Sequence, residues 1–278
     1  FRPTILIALL SLLTPAHAQS HRGGEMRLLA HAPAGSIDPH INYTAQYWQL
    51  FAMAYDGLVA FRKVPGDAGN ELVPDLAEAL PVPADGLTYA FRLRPGLRFH
   101  DDTPVLARDA VASIRRWWAR DSLGQTLATL TDELSAPDDR TIRFRLKRPF
   151  PLLTDALAKP GSNFCVMMPE RLARTDAFTQ VTEMVGSGPF RFKADERVVG
   201  ARAVYERNAA YQPREGAPSF AAGGKVVNFD RVEWMVIPDA GTAAAALQNG
   251  EADWWELVPG DLNALLRRDR RLRVEVKE

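Results

Sequence analysis

Between Phe229 and Glu256 the chain first alternates, then runs helical, then closes on two adjacent tryptophans, and that order admits few folds. Val232, Trp234 and Val236 share one face of the first segment, with Arg231, Glu233 and Met235 on the other, the period of a half-buried strand. Pro238 stops it, because proline has no backbone N–H to give to a ladder. Asp239 is placed to cap the alanine-rich run that follows, and Gly250 stands where a helix ends on a left-handed residue. The prediction is strand, capped helix, strand, a βαβ-like unit ending on Trp254 and Trp255.

The paired indoles constrain what surrounds them. Each carries about 150–250 Å² of surface, so at about 25 cal/mol per Å² the pair puts roughly 8–12 kcal/mol at stake. Neighbours in a strand point to opposite faces. One indole then enters the core while the other faces a cleft, the alternative being that both are core.

Other stretches extend the pattern. Gly186-Ser187-Gly188-Pro189-Phe190 reads as a tight turn into a strand, followed by Glu206-Arg207-Asn208 and Tyr211. Tyr89-Ala90-Phe91-Arg92-Leu93-Arg94-Pro95-Gly96-Leu97-Arg98-Phe99-His100-Asp101 and Ala107-Arg108-Asp109-Ala110-Val111 are two further motifs. Ser36-Ile37-Asp38-Pro39 follows the first strand. Together with the run from Asp230 to Asp253, these motifs closely resemble the solute-binding proteins of peptide and nickel ABC transporters, known as family 5. The resemblance covers nearly the whole chain beyond residue 18. It departs from the family at Asp102, where a glycine is usual, which puts in question a backbone with positive φ at that point.

The resemblance implies an α/β fold of the periplasmic-binding-protein type, class II, in which a first lobe carries an inserted α+β subdomain. Residues 1–18 are expected to be a signal peptide, 19–57 the first part of lobe I, 58–148 the insert and 149–257 the second part of lobe I. Residues 258–278 are expected to begin a crossover to a second lobe, which is missing from this chain. The implied function is extracytoplasmic capture of a short peptide or related small solute by hinge closure, for import through an inner-membrane ABC permease. No enzyme activity and no cofactor are implied, and a monomer is expected. By position in the family pattern, the ligand contacts are Gly35, Ser36, Ile37, Tyr43, Trp254, Trp255 and Glu256. Two alternatives stand beside this reading: a secreted hydrolase using Ser187 or a carboxylate pair, and a periplasmic regulator that hands its solute to a sensor.

The termini and the charge balance bear on the same question. Arg2, an apolar run from Ile5 to Leu13 and then Pro15-Ala16-His17-Ala18 have the form of a cleavable export signal, with cleavage after Ala18 and a periplasmic destination. The apolar run is too short to span a bilayer, which takes about 20 residues. The 34 basic and 34 acidic residues cancel, so no global field draws the chain to nucleic acid. Cys165 is the single cysteine and lies in an apolar run, where burial as a small hydrophobe is expected and an internal disulfide is impossible.

Catalytic spacing is sparse. The five histidines form no H-E-x-x-H helix, and no C-x-x-C pair exists, which disfavours zinc. His100-Asp101-Asp102 reads as a hairpin turn before it reads as a metal site. A nucleophile elbow at Ser187 would need glycine at 185, where valine stands. Arg267 to Arg271, interrupted by Asp269, reads as a solvated helix terminus. Further elements expected from the pattern are a strand over Met26–Ala32, a helix from Thr44 through Tyr55, and strands over Thr88–Leu93 and Thr141–Lys147. A helix capped by Thr103 and opened by Pro104 comes between those strands; a helix over Leu152–Ala158 and strands near Phe164–Met168 and Leu272–Val276 follow.

Overall fold

The structure is a computed structural model that describes residues 22–30, 35–41, 48–64, 66, 69–160, 163–219 and 221–275. The export signal and Tyr43 lie outside the described residues. In chain order the elements are β1 (Glu25–Leu29), α1 (Trp48–Ala54), β2 (Val59–Lys63), β3 (Asn70–Pro74), β4 (Thr88–Arg92), α2 (Ala107–Trp118), α3 (Ser122–Leu130), β5 (Thr131–Ser135) and β6 (Thr141–Leu146). They continue with α4 (Leu153–Ala158), α5 (Glu170–Ala173), β7 (Phe190–Phe192), β8 (Arg202–Arg207), β9 (Arg231–Met235), α6 (Ala240–Gln248), β10 (Trp254–Trp255) and α7 (Asn263–Leu266).

The expected βαβ-like unit is β9, α6 and β10, with Asp239 Oδ1 accepting from the Thr242 amide at 2.7 Å and Gly250 at φ 73° ending the helix. Its two strands do not touch each other. Strand β1 lies between them, parallel to both, in a five-stranded sheet of order β10-β1-β9-β8-β7. The β7–β8 hairpin completes it in antiparallel fashion. Helix α1 packs on one face, burying Leu50, Phe51, Ala54 and Tyr55 against Val232 and Tyr205, so this part of the aromatic stripe is core. Gly186 and Gly188 allow that packing: a Cβ at Gly186 would stand 2.0 Å from the Ala54 carbonyl oxygen, and one at Gly188 2.6 Å from the Ala54 carbonyl carbon. The Gly188 amide instead donates to that oxygen at 2.9 Å.

A second core forms around the antiparallel sheet β4-β6-β5 and helix α2. Ile142, Phe144 and Leu146 point inward from β6, as their alternation predicts, and meet Ala110, Ile114 and Trp117 of α2. The buried Trp117 indole is satisfied by the Asn163 carbonyl at 2.8 Å. Hydrophobic contacts do not change hands at Pro149: Leu153, Ala156 and Leu157 of α4, with Cys165 and Met167, belong to this second core. Cys165 is buried, and burial pushes its thiol pKa up.

Four expectations about elements need correction. Helix α2 starts at Ala107 rather than after Thr103, because residues 98–104 close a turn through an isolated bridge from Arg98 to Pro104. Asp109 supplies the cap, its Oδ2 accepting from the Leu106 amide at 2.8 Å. Phe164–Met168 is extended but makes one bridge, Gly57 with Val166, and no strand. Strand β1 ends at Leu29, short of Ala32. Leu272–Glu275, the described part of the last predicted strand, pairs with nothing in a sheet. At Asp102 the backbone takes φ 64°, so aspartate adopts the left-handed conformation for which glycine is usual.

Candidate ligand-binding site

Register decides which side chains of the central sheet share a face. Leu28 is opposite Trp254 on one side and Trp234 on the other, and Leu29 is opposite Trp255 and Met235. Trp234, Leu28 and Trp254 therefore form one row across three parallel strands, and Met235, Leu29 and Trp255 form the next row on the other face. The second row is covered by α6, where Trp255 packs with Leu29, Ala243 and Ala252. The first row is covered by α1 only at its Trp234 end, where the indole Nε1 donates to Met53 Sδ at 3.2 Å. Trp254 stays 52% exposed. The two adjacent indoles thus split between core and open face, the first of the two arrangements expected from strand geometry.

The uncovered row is one wall of a cavity of about 660 Å³ between the two cores. Leu157 and Phe164 form a second wall, and Pro218 and Val226 of the irregular segment between β8 and β9 form a third. Glu256 stands at the edge directly after β10, held by Gln49 of α1, whose Nε2 donates to Oε1 at 2.8 Å. The carboxyl ends of parallel strands, where open α/β sheets take their ligands, lie on this side.

Asp56, Asp75 and Lys225 also line the cavity. The Lys225 ammonium contacts Asp56 Oδ1 and donates to Asp75 Oδ2 at 3.2 Å, while Ser187 Oγ donates to Asp56 Oδ2 at 3.3 Å. Both carboxylates are buried. Burial pushes the Asp75 pKa up to about 6 against the opposing pull of Lys225. Burial also works against the charge of Lys225, but the carboxylates of Asp56 and Asp75 outweigh it and raise the lysine above its ordinary value.

The loop after β1 is held differently. Asp38 is wholly buried and receives both ends of the Arg116 guanidinium at 2.9 and 2.7 Å, plus the amides of His40 at 3.0 Å and Val181 at 2.9 Å. Burial works against the Asp38 charge, but the Arg116 and Val181 hydrogen bonds prevail and lower its pKa. Ser36 Oγ accepts from the Asp38 amide, the Gly35 carbonyl accepts from Arg197, and Ile37 is buried in the first core. Of the candidate residues, Trp254 and Glu256 meet at the cavity; Gly35, Ser36 and Ile37 stand off its walls, and Trp255 faces α6. Gln49, Asp56, Asp75 and Lys225 were not among the sequence candidates, since no spacing connects them. Trp234 carried a signal in its alternation with Val232.

Among the described residues the hydrogen bond of Ser187 Oγ goes to Asp56 and not to a histidine. Ser187 is 4% exposed, and His100 donates from Nε2 to the Gly188 carbonyl at 3.0 Å while accepting the Gly186 amide at Nδ1. Those bonds tie His100 to the Gly186–Gly188 turn. Among the described residues no three His, Cys, Asp or Glu side chains group as metal ligands would, and no helix is long and apolar enough to cross a membrane.

Comparison with known proteins identifies the family and the fold. The chain is 41% identical over 242 residues to a probable peptide ABC transporter periplasmic-binding protein, y4tO, of Sinorhizobium fredii, covering 86% of this chain and 44% of that one. It is 28% identical to a probable D,D-dipeptide-binding periplasmic protein of Escherichia coli, covering 97% and 50%. Among solved structures, oligopeptide binding protein 2 of clavulanic acid biosynthesis superposes with a TM-score of 0.70 at 29% identity, covering 90% of this chain and 47% of that one. The chain spans about half the length of the curated relatives it matches. Its fold is the mixed α/β fold of periplasmic binding proteins. With residues 71–277 matching the middle region of the bacterial extracellular solute-binding proteins, family 5, the chain belongs to that family.

Proposed function

We propose that this protein is the extracytoplasmic solute-binding component of an ABC importer, that it captures a short peptide or related small solute, and that it passes this solute to an inner-membrane permease. It works in the periplasm as a monomer and performs no chemistry on its cargo. The observation that carries this reading is the row Trp234–Leu28–Trp254, an apolar wall left open in an otherwise packed sheet, with the Glu256 carboxylate at its edge. An indole face and a carboxylate suit an apolar solute bearing an amine. Capture is a population shift: a second lobe closes over solute held on this wall, and solute contacts both lobes only in the closed form. Micromolar affinity corresponds to about 8 kcal/mol, within reach of one stacked aromatic and a few charge-assisted hydrogen bonds.

Mass spectrometry of small molecules that co-purify with the protein tests the reading. The expected result is a peptide-like solute bound to the wild-type protein and reduced at least tenfold in Trp254→Ala. A Trp254→Ala protein that retains as much solute as wild type removes the indole wall from the site, and a bound species with no amine or acyl group overturns the solute class.

A further inference from the structure

The cavity's buried polar group is not on the indole wall. Two carboxylates, Asp56 and Asp75, share one ammonium, that of Lys225, and both are shielded: their side chains are 1% and 3% exposed, while Lys225 keeps 19%. Asp56 has its other oxygen occupied by Ser187. Lys225 is therefore the most exposed of these three charged groups that line the cavity. A lysine ammonium carries three N–H donors, and Lys225 gives one each to Asp56 and Asp75.

We infer that Lys225 is a ligand-binding residue whose third N–H donates to a carbonyl or carboxylate oxygen of the solute. This rests on the proposed solute-binding function and deepens it by giving the solute a polarity: an acyl oxygen at Lys225, and a donor group at Glu256, which comes from a different segment of chain. The lysine is built in rather than a surface side chain that wandered in. Its segment is strapped down by Arg214, which donates to the carbonyls of Asp75, Ala77 and Glu78, and by Ser219, which bonds both backbone groups of Lys63. Gly223, at φ 84° with its Cβ position 2.2 Å from the Ala217 carbonyl oxygen, lets the chain pack closely on itself two residues before the lysine. A charged donor fixed in this way spends little further ordering on the solute, and its bond to an acyl oxygen is charge-assisted.

The test uses the purified full chain and two equimolar tripeptide libraries, one with free and one with amidated C-termini. Retained peptides are counted by mass spectrometry after rapid gel filtration. Lys225→Met is expected to retain at least tenfold less of the free-acid library than wild type. An equal loss on the amidated library assigns the contact to a peptide carbonyl; a loss confined to free acids assigns it to a carboxylate. Because Lys225→Met strands two buried carboxylates, the same substitution is also made on Asp75→Asn, where only Asp56 remains charged and keeps Ser187. Asp75→Asn alone is the reference for this pair, and Asp75→Asn with Lys225→Met is expected to retain at least tenfold less peptide than Asp75→Asn alone. Equal retention by Asp75→Asn with and without Lys225→Met overturns the role of Lys225 and leaves the solute-binding function standing. Failure of the wild-type chain to retain either library overturns peptide capture and this inference together.

Discussion

Two buried ionic clusters hold this protein together, and they are built on opposite terms. In one, Asp38 and Arg116 are matched one to one: the guanidinium is bidentate, two further donors reach the carbonyls of Thr175 and Thr179, and both side chains are at most 1% exposed. In the other, two carboxylates compete for Lys225, and that lysine reaches a cavity. Both carboxylate oxygens and four of the five guanidinium N–H donors of the first pair are spent within the fold, away from the cavity, so it ties the loop after β1 to α2 and to the 175–181 segment. The second keeps a donor in reserve. The first pair is closed off from the cavity, whereas the second holds its unspent donor at the cavity, as the proposed binding role requires.

The largest effect that would break this contrast is on stability. Arg116→Met leaves the Asp38 carboxylate buried without a cation and is expected to cost about 3–5 kcal/mol in urea denaturation. Lys225→Met is expected to cost less, because water enters the cavity to solvate Asp56 and Asp75. Equal losses in the two variants would erase the distinction between the clusters.

The adjacent indoles give a second, smaller effect. Trp255→Ala opens a hole beneath α6 and is expected to cost about 2–3 kcal/mol, below the range for fully buried aromatics because the residue is only partly buried. Trp254→Ala, on the open face, is expected to stay within about 0.5 kcal/mol of wild type. A reversal of that order in thermal denaturation would mean that the row facing the cavity is the structural one.

The smallest effect is the response to pH, where the clusters have opposite signs. His40, beside Asp38 and Arg116, is buried and donates from Nε2 to the Val166 carbonyl; burial first, then the Arg116 charge, lowers its pKa to about 4. The unfolded chain then binds more protons than the folded one between about 4 and 6.5, so His40 withdraws stability as pH falls through that window. Asp75 is raised to about 6 by burial, with Lys225 and Arg94 opposing and Asp56 adding to the shift. The folded chain binds the extra proton there, so Asp75 costs stability as pH rises through roughly 4 to 6. Urea midpoints measured from pH 7 to pH 5 are expected to fall less in His40→Gln than in wild type, and to fall more in Asp75→Asn. Parallel profiles for all three proteins would remove both groups from the account.

Much of the frame was legible residue by residue. The alternation of Val232 with Trp234, the cap at Asp239 and the stop at Gly250 each produced the element they predict, because each acts on backbone within a turn or two. Strand geometry also separated Trp254 from Trp255. Legibility failed where a local signal met a competing neighbour. Thr103 looks like a cap, but its hydroxyl donates to Asp101 at 2.6 Å inside a turn, and Asp109 caps α2 instead. The site was half legible for a related reason. Trp254 and Glu256 lie together in sequence, whereas Lys225 is 169 residues from Asp56 and 150 from Asp75, and no period reports on such a meeting.

By itself, then, the order of residues determined the strand, capped helix and strand from β9 to β10, the inward face of β6, and the family motifs, since periodicity and capping are short-range properties of the backbone. Only the tertiary structure decided that β1 would slip between β9 and β10, that α6 would cover one tryptophan while α1 stopped short of the other, and that two distant aspartates would share one lysine at the cavity. Those outcomes depend on which surfaces meet when the chain folds back on itself. Burial and charge pairing act there through space, at distances the sequence does not record.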